Sequence, residues 1–248
     1  MTNDIYVIIM AAGAGTRMKS KLPKMLHRVC GRPIIDYILD GANAVSEHLP
    51  ILVVGHGAEE LMDHIGHRAE YARQDEPLGT GHAVMMAAPY IEDKEGYVVV
   101  LAGDTPLIRE ETLSSMVEYA IDGDYSAVAL STIVDDSTGY GRIVRTADGD
   151  FDKIVEHKDA TEAERAINEI NASMYCFRID SLIESLKDLA NDNAQGEYYL
   201  TDTLSIIKNH GKRVGVYCLD DYTEILGVNT RQQLIDAERF MRSRINNF

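Results

Sequence analysis

The chain has 248 residues, 45% of them apolar, and a formal charge of −16 at neutral pH. It is long enough to bury a large core, and its acidity argues against a general nucleic-acid or anionic-membrane binder, because a duplex partner needs a basic footprint. No apolar run approaches the roughly 18 residues of a membrane span, and the N-terminus lacks the charged, apolar, small-residue order of a signal peptide, so no membrane partner and a cytoplasmic location are expected. Cys30, Cys176 and Cys218 are odd in number, widely spaced and never in a CxxC pair, which argues against a disulfide frame or a thiolate zinc site.

Ile5 to Met10 is uniformly apolar and rich in β-branched residues, the pattern of a central parallel strand buried on both faces. It breaks into small residues at Ala11-Ala12-Gly13-Ala14-Gly15 and then turns basic at Arg17, Lys19, Lys21 and Lys24. With Arg28 and Arg32, these make six basic residues between Ile5 and Ile35, a stretch with no Asp or Glu. Such a cationic segment on an acidic protein points to a small, highly charged anion, and its bland alternative is a solvated basic face.

Pro33 to Val45 has helical apolar spacing at Ile34, Ile35, Ile38, Leu39 and Ala42, with proline where a first turn tolerates it. A strand over Ile51 to Val54 and a short helix over Ala58 to Ile65 follow, then a helix over Thr80 to Pro89 after the Leu78-Gly79-Thr80-Gly81 turn. Tyr97 to Ala102 reads as a strand ending on Gly103-Asp104-Thr105-Pro106, Glu110 to Ile121 as a helix with acids in its first turn, and Ala127 to Val134 as a strand. Thr138 to Val155 carries the glycine punctuation of an inserted hairpin.

The remaining elements are a strand over Ile170 to Phe177, helices over Ser181 to Ala190 and Tyr199 to Lys208, and a strand over Val214 to Leu219. The last is a helix from Thr230 to Arg244, with Leu234, Ala237, Met241 and Ile245 on one stripe. Strands alternating with helices predict an α/β, Rossmann-like, doubly wound and mostly parallel (mixed) sheet with an inserted β flap. The expected division is a domain over residues 1–229 and an arm-like closing helix over 230–248.

Two phosphate motifs fail on the opening loop. A Walker loop needs Gly five positions after Gly13, where Met18 stands, and the dinucleotide fingerprint needs Gly or Ala at that same residue. What remains is a loop whose backbone N–H groups can cradle phosphate, with Arg17 and Lys24 projecting from it.

Met10 to Met18, followed by Lys21-Leu22-Pro23-Lys24, resembles the signature of sugar-1-phosphate nucleotidyltransferases. Further stretches are similar to the bacterial uridyltransferase (pyrophosphorylase) domain that makes UDP-N-acetylglucosamine from UTP and N-acetylglucosamine 1-phosphate. These include Val54 to Gly57, Gln74 to His82, Gly103 to Leu107, Thr138 to Ile143, Ile154 to Ala160, Glu169 to Asn171, Asn193 to Asp202 and Gly227 to Asn229. Ala172-Ser173 follows Asn171 where that family usually carries Thr-Gly. The bifunctional members continue into a left-handed β-helix of hexapeptide repeats; no such repeats occur here, so neither acetyltransferase activity nor a repeat-driven trimer is expected.

The resemblance implies roles residue by residue. Arg17 and Lys24 carry the positive charge for the triphosphate. Asp104 and Asn229 hold a Mg2+ cofactor. Met10, Ala11, Ala12, Gly13, Gly15, Gln74, Gly79 and Thr80 bind the nucleotide, and Gly103, Gly141, Glu156 and Asn171 bind the sugar. Taken without the resemblance, Gln74 reads as a surface residue, Asp104 as a turn former and Asn229 as a helix N-cap. Other scaffold occupants stay open: a transferase using glucose 1-phosphate or dTTP, or a nucleotide-sugar binder without turnover. His56, His64 and His67 fit no familiar zinc spacing.

Overall fold

The computed structural model describes residues 4–246. The chain runs β1 (Ile5–Met10), a two-stranded ribbon of β2 (Arg28–Val29) and β3 (Arg32–Pro33), α1 (Ile34–Val45), β4 (Ile51–Val54), α2 (Ala58–Ile65) and β5 (Glu70–Arg73). It continues through α3 (Thr80–Ala87), β6 (Tyr97–Ala102), α4 (Glu110–Asp122) and β7 (Ala127–Ile133). A hairpin of β8 (Arg142–Arg145) and β9 (Phe151–Val155) follows, then the single turn α5 (Glu162–Arg165) and the long β10 (Glu169–Arg178). The last elements are α6 (Ile179–Lys187), α7 (Asp202–Asn209), β11 (Val214–Leu219) and α8 (Arg231–Asn246). The expected closing helix reaches residues 247 and 248, which lie outside the described residues.

The main sheet has the order β11-β7-β10-β6-β1-β4-β5, and the β8-β9 hairpin joins it through β10. Its strands pair in parallel except β10, which runs antiparallel to both β6 and β7. This is the mixed, doubly wound sheet that the alternating elements predict, with the hairpin as its flap.

The uniformly apolar strands follow from burial on both faces. Val7 and Ile9 of β1, with Val99 and Leu101 of β6, join a core under α1, α2, α4 and α8; Ile8, Val98 and Val100 join a second core under α3, α6 and α7. A strand with covered faces has no polar side, which removes the alternation seen in half-exposed strands.

Some elements depart from expectation for local reasons. β5 has no apolar run, because as the outer strand it buries only Ala72. α3 stops at Ala87, and Pro89 lies in a following 3-10 turn rather than in the helix. α7 begins at Asp202, leaving Tyr199 and Leu200 in the connection, where Thr203 Oγ1 donates to the Leu200 carbonyl at 2.6 Å. α5 forms on a capping box in which Thr161 and Glu164 bond reciprocally. Ile245 is 58% exposed and leaves the expected stripe, whereas Ala237 is buried and Leu234 and Met241 are partly so. Arg244 replaces it as the anchor, donating to the Leu107 carbonyl and to Thr223. Among the described residues, no helix is long and apolar enough to cross a membrane.

Ile9 is fully buried at the centre of β1. Ile9→Ala is expected to lower unfolding free energy by about 3 kcal/mol, the cost of a central cavity, as read from urea denaturation.

Candidate active site

From β1 the chain winds outward through β4 to β5, then returns to lay β6 against the other side of β1. The crevice beyond the carboxyl ends of β1 and β6 is therefore the point where strand order reverses, the place where open α/β sheets take ligands. The loop after β1 supplies residues 11–24 and the turn after β6 supplies 103–106. Gly103 N–H donates to the Met10 carbonyl at 3.0 Å, tying the two strand ends together.

A charged cluster fills this crevice. Lys24 Nζ lies 2.7 Å from Asp104 Oδ2 and 3.1 Å from Asn229 Oδ1, and Arg17 donates to the same Asn229 oxygen at 3.0 Å. Gly15, at φ 58°, makes the approach possible: a Cβ there would lie 2.8 Å from the Lys24 Cβ. Of the plainer readings of this pair, the N-cap one fails for Asn229, whereas Asp104 does stand in the turn after β6. Thr230 rather than Asn229 caps α8, accepting from Gln233 N–H at 3.2 Å. The Asp104 side chain faces Lys24, while its carbonyl accepts from Val228 N–H. One cation, the Lys24 ammonium, already touches both oxygens, so this pair is a donor set that would suit a small divalent ion. Among the described residues no group of three His, Cys, Asp or Glu could hold a metal; His64 instead pairs with Asp36 at 3.0 Å.

The basic segment divides accordingly. Arg17 and Lys24 line the crevice, Arg32 turns away to Asp40 at 2.5 Å, and Lys19 and Lys21 are exposed.

Two cavities meet at this cluster. One, of about 360 Å³, is lined by Met10, Ala12, Gly13, Lys24, Gln74, Gly79 and Thr80. Gln74 is buried rather than on the surface; its amide nitrogen donates to the Gly79 carbonyl at 3.0 Å and meets His82 Nδ1 at 3.1 Å. Gly79 has φ 110°, and a Cβ there would lie 2.6 Å from the Tyr198 carbonyl, so only glycine fits. Thr80 Oγ1 accepts from Leu200 N–H, bracing this turn on residues 197–200. Ala11 does not face the cavity; its methyl is buried in the core, and its N–H donates to Val53.

The second cavity, of about 300 Å³, is lined by Arg17, Asp104, Tyr140, Asn171 and Asn229 among others, and it shares Ala102, Asp104 and Ser173 with the first. Gly141 and Glu156 line neither but stand behind Asn171. Asn171 N–H donates to the Gly141 carbonyl at 2.9 Å, and a Cβ on Gly141 would come within 3.4 Å of the Glu156 carboxylate. Thr201 Oγ1 donates to Glu156 at 3.2 Å. Burial pushes the Glu156 carboxyl above its ordinary range, and the charges of Asp202, Asp159 and Glu197 add to the effect.

Residue reading did not single out Ala102, Tyr140, Ser173, Glu197 or Thr201 as site groups. Ala102 ends the predicted strand beside Asp104, a positional signal that was available. Tyr140 and Glu197 become neighbours of the site only through the flap and the loop before α7.

A family description, MobA-like NTP transferase domain, matches residues 7–195. Among curated proteins, the chain is 54% identical over 241 residues to the bifunctional protein GlmU of Alkaliphilus oremlandii, covering 97% of this chain and 52% of that protein. It is 50% identical to the same-named protein of Geobacillus thermodenitrificans, with 97% and 52% covered, and 46% identical to that of Bacillus subtilis, with 97% and 53% covered. The chain thus spans about half the length of the curated relatives it matches. With its charged crevice at the sheet's switch point and this match over residues 7–195, the chain belongs to the MobA-like NTP transferase domain family.

Proposed function

We propose that the chain is a cytoplasmic uridylyltransferase that makes UDP-N-acetylglucosamine and pyrophosphate from UTP and N-acetylglucosamine 1-phosphate. Residues 1–229 form the transferase domain in this reading, and 230–248 the closing arm. The observation that carries it is the meeting of two cavities at Asp104, with Arg17 and Lys24 at the junction. The likeness to proteins named bifunctional protein GlmU supports the choice of substrates.

The nucleotide lies over Ala12 and Gly13, where a Cβ on Gly13 would meet nothing within 4 Å. The Gln74 amide nitrogen is already committed to Gly79 and His82, so its oxygen is the end turned to the N–H of a uracil edge. A phosphate oxygen of the sugar ester attacks the α-phosphorus, and the bond from that phosphorus to the bridging oxygen of the leaving pyrophosphate breaks. The nucleophile is already anionic, so no general base is needed; the task is holding two polyanions together in line. Arg17 and Lys24 neutralise the triphosphate, while the clustered oxygens of Asp104 and Asn229 would hold a magnesium ion. When bound, that ion supplies further charge neutralisation at the phosphates.

Pyrophosphate release from UTP is expected with N-acetylglucosamine 1-phosphate and magnesium. A panel of nucleotides and sugar 1-phosphates checks this, and faster turnover with dTTP or glucose 1-phosphate would reassign the substrates. Asp104→Ala and Lys24→Ala are each expected to lower turnover on the order of 10²- to 10³-fold with the circular dichroism spectrum retained.

Glu156 generates a pH prediction. Its folded-state pKa is raised, so the folded chain holds its proton to higher pH than the unfolded chain does. Its contribution to stability therefore falls as pH rises from the ordinary carboxyl value through the raised one, and the penalty is fully present above it. Glu156→Gln is expected to raise the melting temperature at neutral pH, because the amide has no charge to desolvate, and to lose that advantage as pH falls below the ordinary carboxyl range. Calorimetry across that pH range checks the sign.

A further inference from the structure

β10 does not run evenly past β7. Asn171 pairs with Ser131 and Tyr175 with Ala129, so four steps on β10 span two on its neighbour. The extra residues are taken up around Ser173, which sits at φ 57°. A non-glycine residue in that region is strained, and such outliers cluster where a site is being held in shape. Of the four non-glycine residues with positive φ among those described, Ser173 is the one that lines the two cavities above.

The bulge returns the chain onto the Asn171 side chain from both ends. Asn171 Nδ2 donates to the Tyr175 hydroxyl at 2.8 Å, and Ser173 N–H donates to Asn171 Oδ1 at 3.2 Å. Asn171 is 3% exposed and Tyr175 is 2% exposed, with its ring in the apolar core beside Phe177. Burial keeps the phenol protonated far above its ordinary range, so the oxygen that receives the Asn171 amide stays neutral.

We propose that Tyr175 is a positioning residue for the sugar site: with the Ser173 bulge it clamps the Asn171 amide in one orientation, and that fixed polarity selects an N-acetylated sugar. This rests on the reading of Asn171 as a sugar-binding group. An amide free to turn over exchanges its donor and acceptor ends and reads a hydroxyl as readily as an acetamido group. A clamped amide offers its second hydrogen and second lone pair in fixed places, which match a ligand carrying its own donor and acceptor in complementary order.

The test compares wild type with Tyr175→Phe, which keeps the ring and removes only the hydroxyl. The expected result is a KM for N-acetylglucosamine 1-phosphate raised about five- to tenfold, with kcat within twofold and KM for UTP unchanged. Preference for this ester over glucose 1-phosphate should fall by a similar factor. A merely structural hydroxyl would lower stability without this split, so unchanged sugar KM and unchanged preference overturn the inference. Nuclear magnetic resonance of the wild-type Asn171 side-chain amide supplies a readout that does not need the variant to fold. On addition of N-acetylglucosamine 1-phosphate, the hydrogen bonded to Tyr175 should hold its position while its partner shifts, and equal movement of both overturns the clamp. If wild type turns over no sugar ester and the Asn171 signals ignore all of them, the site reading fails and the inference falls with it. Turnover by wild type with an indistinguishable variant removes the clamp alone.

Discussion

The contact on which the site depends is the Lys24–Asp104 ion pair, 2.7 Å long and largely withdrawn from solvent. It ties the loop after β1 to the turn after β6, across the seam where the two halves of the sheet diverge. Asn229 brings the segment before α8 into the same cluster. A buried charge is costly without a partner, so each side chain justifies the position of the other.

The loop can hold that pair because its residues are small where the backbone must come close. Gly15 lets Lys24 pack against it, and Gly79 lets the 78–81 turn lie against Tyr198. Shape and charge are thus set by different residues. The small ones open the cleft, and the charged ones are positioned by strand ends that cannot move without disturbing two apolar cores.

Much of the fold was legible because its strands are extreme. A run such as Ile5 to Met10 is apolar at every position only when both faces are covered, and that burial is what the structure has. β5 was not legible, since Glu70-Tyr71-Ala72-Arg73 is an outer strand with a single buried side chain and its pairing is decided by β4. Within the site, Arg17, Lys24, Asp104 and Asn229 were readable from motifs, and the structure brings them together. Gln74 on residues alone looked like a surface amide; its burial depends on Gly79 and His82 folding over it. Tyr175 carried no signal, because an aromatic residue in an apolar strand is ordinary core until a bulge turns its hydroxyl toward an amide.

The antiparallel course of β10 has a consequence for how the chain is made. β10 lies between β6 and β7, yet it follows both in sequence and is separated from β7 by the flap. Until residue 178 has left the ribosome, the apolar edge of β6 has no partner, and β7 has nothing to join. The nascent chain therefore carries an open strand edge from the completion of β6 until β10 has been made, and unpaired edges of this kind invite aggregation. Insertion of β10 closes that edge, and only then do β7 and the flap become parts of the sheet that β1 and β6 began.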